Sequence, residues 1–439
     1  MTAALPERPP SLAPPSLAPP SLANAEWLQR HQTQRVLAML SADGGAARVV
    51  GGAVRNELLG RPVADIDIAT TLEPTEVIAR AARAGLRPVP TGLAHGTVTV
   101  VCDHHGFEVT TLREDVETFG RHATVAFTDD WEADARRRDF TINALYCDAD
   151  GRLHDPVGGY PDLIDGRVRF IGDPSARIGE DYLRILRLFR FHAQYGKTGP
   201  EPADLTASVR LRSGLTALSR ERIHGELMRL LVAPGAVATI TLMRDLGLLT
   251  LIVPAAPRLG VLHALATLDR DFGRLPDAAL RLAALAVSVR EDGERLATRL
   301  ALSNAERGTL ADAADLMTGA AGRPLAVPHA SSVKANVYRE GNAATERRVL
   351  LTAALAFAAG APITAGDWRG ALTLAATFTA PRFPLNGHDV RARGITIGPE
   401  FGRLLRAVED AWIENDFADD RAALLVRLDQ AIAGRTLIG

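Results

Sequence analysis

Asp65 and Asp67 stand two positions apart, shortly after Gly51-Gly52-Ala53-Val54-Arg55, within the stretch VVGGAVRNELLGRPVADIDIAT. On a strand, residues i and i+2 point to the same side of the sheet, so these carboxylates would stand together with Ile66 and Ile68 packed behind them. Two carboxylates held that close repel unless they are protonated or neutralised, and a divalent metal is the usual neutraliser. Upstream, the glycines let backbone N–H groups approach an anion at a helix start, and Arg55 can add charge-assisted bonds. A phosphate cradle beside metal-binding carboxylates is the equipment of phosphoryl or nucleotidyl transfer. A glycoside hydrolase is excluded, because an i,i+2 pair sits on one wall rather than across a substrate bond. No G-x-G-x-x-G follows a strand, which excludes a dinucleotide-binding head.

Two more clusters carry charge where chemistry could use it. Arg136-Arg137-Arg138 runs straight into Asp139 and the apolar segment Phe140–Leu145, which should tie at least one guanidinium to a packed element. Near a phosphate site, such a guanidinium can orient a nucleotide. Farther on, Glu180 to Phe191 reads as one helix, packed through Leu183, Ile185, Leu186, Leu188, Phe189 and Phe191. Along it Asp181, Arg184, Arg187 and Arg190 recur every third residue as a slowly rotating row. An Asp–Arg pair can offer acceptor and donors to a base edge, and the surplus positive charge favours an anionic ligand. Glu108, on a strand, could project toward the carboxylate pair as a third acid, although a cross-strand partner for a Lys or Arg is the more ordinary role for it. His95 reads as a turn residue, and Cys102 and Cys147 as core.

These groups must be positioned by a mixed α/β segment. Strands are expected at Arg48–Val50, Ala64–Ala69, Gly96–Cys102, Phe107–Leu112 and Ala144–Cys147, with short helices between them. After about residue 175 the pattern becomes Leu/Ala/Arg at helical spacing, so the fold class is α+β with an all-α remainder. The 439 residues exceed a single core. The expected segments are a disordered Pro-rich extension (1–24), a head (25–148), a neck (149–231) and a helical body and tail (232–439). With 50 Lys+Arg against 52 Asp+Glu the net charge is −2, so nucleic-acid binding would need a local basic face. Two cysteines give neither metal spacing nor a disulfide framework and fit a reducing cytoplasm. No signal peptide is visible, and the apolar Val349–Gly366 is Ala-rich and broken by Gly360-Ala361-Pro362. It reads as a buried helix rather than a membrane span.

The ordered segments GGAVRNELLG…DIDIAT, HGTVTV…FEVTTLR, RRDFTINAL, DPVGGYPDLIDGRVRFIGDP and EDYLRILRLFRF, with SRERIHGELMRLL after them, resemble the class II CCA-adding tRNA nucleotidyltransferases and bacterial poly(A) polymerases. The resemblance covers about residues 48–195 nearly continuously. It implies a polymerase-β-like head and addition of C, C and A to tRNA 3′ ends from CTP and ATP, without a nucleic-acid template. It also implies that Asp65 and Asp67 bind Mg2+, that Gly52 and Arg55 hold the triphosphate, and that Arg138 contacts the nucleotide near its ribose. Asp181 and Arg184 would select the base, and Arg187 and Arg190 would complete the nucleotide site. The implied partners are tRNA, CTP and ATP, with no membrane and no protein partner. Arg113–Ala126 would be the loop used in switching from CTP to ATP, which argues against a CC-only enzyme. Two departures stand out: Asn56 where the family usually has Asp, and an isolated His388-Asp389 that lacks partners for a phosphohydrolase site. A poly(A) polymerase and a catalytically silent RNA-binding protein are the competing readings.

Overall fold

The β-branched run at Val49-Val50 becomes the middle of a mixed sheet. In the computed structural model, which describes residues 19–119, 122–320, 325–361, 365–395 and 399–434, nine strands are assigned. They are β1 (Ala47–Val50), β2 (Asp67–Thr70), β3 (Arg87–Gly92), β4 (Thr97–Cys102), β5 (His105–Thr111), β6 (Arg113–Phe119), β7 (His122–Phe127), β8 (Tyr146–Cys147) and β9 (Leu153–His154). Seven form one sheet in the order β3-β4-β5-β2-β1-β8-β9, and β6 and β7 form a separate hairpin. Among the described residues, only β2 and β5 pair in parallel. A parallel pair needs a crossover, here supplied by the helix Pro74–Arg83 with β3 and β4. Alternation in β4 buries Val98, Val100 and Cys102, while Ile68 of β2 and Val109 of β5 fill the adjoining core.

The expected strand Ala64–Ala69 is shorter than the apolar pattern implied. It begins at Asp67, leaving exposed Asp65 in the preceding loop. The register explains this: β1 ends at Val50, which pairs with Asp67, and Gly51 at φ +72 turns the chain into the helix Gly52–Leu58. No β1 residue remains to extend the ladder to Asp65.

The extension is also more tightly held than expected at its end. Leu22 is buried, donates its N–H to the Gly151 carbonyl at 2.8 Å, and leads into a helix at Glu26. Residues 1–18 lie outside the described residues.

The chain divides into two compact units, Met1–Leu251 and Ile252–Gly439. In the first, the sheet is followed by helices that include Pro174–Glu180, Leu183–Tyr195, Pro202–Arg210 and Arg220–Leu231. The next helix, Ala236–Asp245, also belongs there: the Gly235 N–H just before it donates to the Ala193 carbonyl at 2.8 Å. The second unit is helical throughout its described residues. One of its cores gathers Leu385, Val390, Leu404, Val408, Trp412 and Leu428. There Asp389 closes a capping box with Asn386 and pairs with Arg421, so the His-Asp dipeptide marks a helix start. The Ala-rich segment forms the helix Asn342–Ala358 with most of its apolar residues buried. Among the described residues, no helix is long and apolar enough to cross a membrane.

Candidate active site

The parallel β2–β5 register sets the acids in place. Asp67 lies directly across from Glu108, as Ile68 does from Val109. The Asp67 carboxyl opens into the cleft yet has lost much of its water to surrounding protein. Its pKa is raised, first by that desolvation, then by Glu108 and Asp65, while Arg138 and Arg55 act against the rise. A carboxylate crowded by two others is short of positive charge. That shortage fits a divalent cation held by Asp65 and Asp67. Magnesium is commonly held by one or two carboxylates together with substrate phosphates. Among the described residues, no cluster of three or more His, Cys, Asp or Glu forms a preassembled metal cage.

Beside Asp67 a chamber of about 450 Å³ collects most of the expected nucleotide residues. Gly52, Arg55, Asp67, Arg138, Asp181, Arg184 and Arg187 all line it, although they span three separate stretches of chain. Arg55 reaches it from the helix Gly52–Leu58, donating to Asn143 and lying 4.5 Å above the Tyr195 ring. Burial pulls its pKa down, and its Nε has no hydrogen-bond partner. A buried guanidinium with a spare donor beside a glycine turn is suited to a phosphate oxygen. Asn56, the departure next to it, donates to the Pro62 carbonyl and accepts from the Tyr195 hydroxyl, so it serves local structure.

The arginine run is tied down as expected, by an acid upstream of it. Buried Asp134, not Asp139, ties Arg137 and Arg138 down, with the Tyr146 hydroxyl completing the cluster. Burial alone would lower the Arg138 pKa, but Tyr146 and Asp134 outweigh it and the net shift is upward. Asp139 instead accepts from Arg187 at 2.7 Å and from Asn143 at 2.9 Å. These bonds overcome its desolvation and hold its pKa below the usual carboxylate range.

The expected single helix from Glu180 to Phe191 is broken. One helix ends at Glu180, Asp181 is extended at φ −155, and the next begins at Leu183. Asp181 accepts from the Leu183 N–H, an acceptor role that favours a break over helix continuation. Asp181 and Arg184 are not paired with each other. Arg222 grips both carboxylate oxygens of Asp181 at 3.1 and 2.6 Å, and Arg184 pairs with Glu180. The expected surplus of positive charge is also balanced from distant segments: Arg187 by Asp139 and Glu226, Arg190 by Glu226. Arg190 does not line the chamber and lies over the Phe191 ring at 3.8 Å. Arg137, Asp139, Asn143 and Arg222 do line it and were missed as site residues.

The head matches the model of the poly A polymerase head domain over residues 47–169. A second match, over 201–259, is to a probable RNA and SrmB-binding site of polymerase A. The mitochondrial CCA tRNA nucleotidyltransferase 1 of Danio rerio is 36% identical over 395 residues, 88% of this chain and 87% of that protein. The chain belongs to the CCA tRNA nucleotidyltransferase family. A CCA-adding enzyme of Geobacillus thermodenitrificans is 38% identical over 50% of this chain and 54% of its own. The structure of the Bacillus stearothermophilus CCA-adding enzyme in complex with CTP superposes with a TM-score of 0.72 at 27% identity. That alignment covers 93% of this chain and 98% of that one. Family membership and likeness thus extend well beyond the head, into the helical half where the motifs are faint.

Proposed function

We propose that this protein adds C, C and A to the 3′ end of tRNA from CTP and ATP, without a nucleic-acid template. The observation that carries the reading is the single chamber that brings a glycine turn, a buried arginine, an acid on β2 and the Asp181/Arg184 segment together. In the reaction, the terminal 3′-oxygen bonds to the α-phosphorus, its proton passes to water, and the bond to the β-phosphate breaks to release pyrophosphate. Bound at Asp65 and Asp67, magnesium would supply Lewis-acid activation of the hydroxyl and charge neutralisation of the phosphates. Glu108, in register with Asp67, is the candidate third acid. Gly52, Arg55 and Arg187 would hold the triphosphate, and Arg138 would orient the sugar. Asp181 and Arg184 would present acceptor and donors to the base edge, with Arg190 supporting this wall through Glu226. The cytoplasm is our reading of where the protein works, and its two buried free cysteines agree with a reducing compartment.

Incubating the purified protein with magnesium, CTP, ATP and tRNA lacking its 3′ CCA tests this at single-nucleotide resolution. Three additions followed by a stop are expected. A lengthening ladder from ATP alone would make it a poly(A) polymerase, and no addition at all would make it a silent RNA-binding protein.

A further inference from the structure

A second cavity, about 520 Å³, also opens at Asp67. Its volume lies within the range of roughly 300–1,000 Å³ usual for ligand sites. Asp67, Arg137 and Arg138 line both cavities, so the two meet at the acid on β2. Away from that border the walls change character: Thr91, His95, Thr97 and Thr110 stand around Glu108. Arg113 also lines this cavity, but its guanidinium donates to the His95 carbonyl. Hydroxyls, a carboxylate and an exposed imidazole suit a nucleoside better than a triphosphate. Ribose hydroxyls both donate and accept, and an imidazole can stack on a base or bond to its edge.

His95 is carried by a short turn, Leu93–His95, that closes through Gly96 in the left-handed region at φ +78. Both ends of the β6–β7 hairpin hold this turn. At the start of β6, Arg113 donates to the His95 carbonyl. At the end of β7, Phe127 lies so close that a Cβ on Gly96 would come within 2.9 Å of its ring. Phe127 is still 40% exposed, so its ring meets the turn without being locked into the core. Any shift at the hairpin base therefore reaches His95 through one backbone turn.

We propose that His95 holds the last nucleoside of the acceptor RNA in this second cavity, and that the base of the hairpin positions His95 through Phe127 and Gly96. The proposal rests on the RNA-transfer reading above. It gives the hairpin base a task on the acceptor side of the reaction, in addition to the part expected of the loop in switching from CTP to ATP. His95 is a substrate contact, while Phe127 and Gly96 are positioning residues that act through it.

The test measures kcat and KM with the full chain, magnesium, CTP and tRNA lacking CCA. His95→Ala is expected to raise KM for tRNA roughly tenfold, the scale of one lost base contact, with KM for CTP unchanged. His95→Gln should recover part of the loss if a hydrogen bond carries it, and His95→Phe if stacking does. Phe127→Ala should give the same split more weakly, without a change in unfolding temperature, and Phe127→Leu, which keeps apolar bulk, should lie closer to wild type. An unchanged KM for tRNA in His95→Ala, or an equal rise in both KM values, overturns the proposal. So does a Phe127→Ala that alters the choice between C and A at constant tRNA KM. If the wild-type chain extends no tRNA, the functional reading itself fails, and that result is distinct from failure of the His95 assignment alone.

Discussion

Asp67 shows how the surroundings of one residue define a chemical task. Its raised pKa arises from desolvation and two neighbouring acids, a combination that disfavours the bare carboxylate and rewards a bound cation. Asp67→Asn keeps the shape and removes the charge. Transfer of C and of A should both fall by about a hundredfold or more, the scale of losing one charge-stabilising group, with the fold intact by circular dichroism. Residual activity within a few-fold of wild type would remove Asp67 from the metal site. Asp204 makes the opposite case, a buried acid with no catalytic work. It accepts from the Phe170 N–H at 3.2 Å, and burial pushes its pKa up to about 6, opposed by that hydrogen bond and by Arg169 and aided by Glu201. A folded-state pKa above the unfolded value carries no penalty below about pH 4. It costs stability as pH rises through 6, by about 1–3 kcal/mol once the carboxylate is fully charged. Asp204→Asn retains an acceptor for Phe170 and should raise the melting temperature at pH 7–8, with the gain vanishing near pH 4. A gain that persists at pH 4 would show that charge burial is not its cause.

The break between Pro174–Glu180 and Leu183–Tyr195 is the element on which nucleotide choice should depend. Asp181 sits at the break, tied to the Leu183 N–H and to Arg222 of the helix Arg220–Leu231. Asp181→Ala should scramble the choice between CTP and ATP more than it slows transfer, measured as the ratio of correct to incorrect addition from single nucleotides. Because Arg222 fixes that carboxylate, Arg222→Met should cause a related loss of fidelity, and the double variant should be less than additive. Equal loss of all activity with selectivity unchanged would refute the role of Asp181. Legibility in the sequence follows the same elements. The core strands were readable because Val98/Val100 and Ile68 carry a β-branched pattern that survives in the sheet. By contrast, β3 reads RPVPTG, and its two prolines signal a break although an edge strand tolerates them. Ion-pair partners were invisible for a different reason. Arg187–Asp139 and Arg222–Asp181 join residues 48 and 41 positions apart, and no local spacing encodes such pairs. Local pattern thus marked the groups proposed to act on a nucleotide, and tertiary structure supplied what holds them still.

At the scale of the whole molecule, every residue lining the chamber beside Asp67 falls between Gly51 and Arg222, inside the unit Met1–Leu251. The unit Ile252–Gly439 has its own apolar core, in which Trp412 is 2% exposed and meets Tyr338, Phe383 and Phe417 with ring centroids 5.8, 5.3 and 5.0 Å away. Its indole N–H also donates to the Asp419 carbonyl at 3.1 Å. Truncating such a side chain costs about 3–5 kcal/mol through lost transfer energy and the cavity left behind. Trp412→Ala should therefore lower the unfolding temperature of the second unit, or remove its transition, in a calorimetric scan. Every group proposed to hold CTP is carried by the first unit, so CTP affinity should hold within about twofold in this variant. Titration calorimetry with CTP and magnesium on the same variant decides the matter. Retained CTP affinity beside a lost transition would show that the nucleotide chamber is assembled by the first unit alone. Loss of both together would show that folding of the second unit is required for the chamber to form.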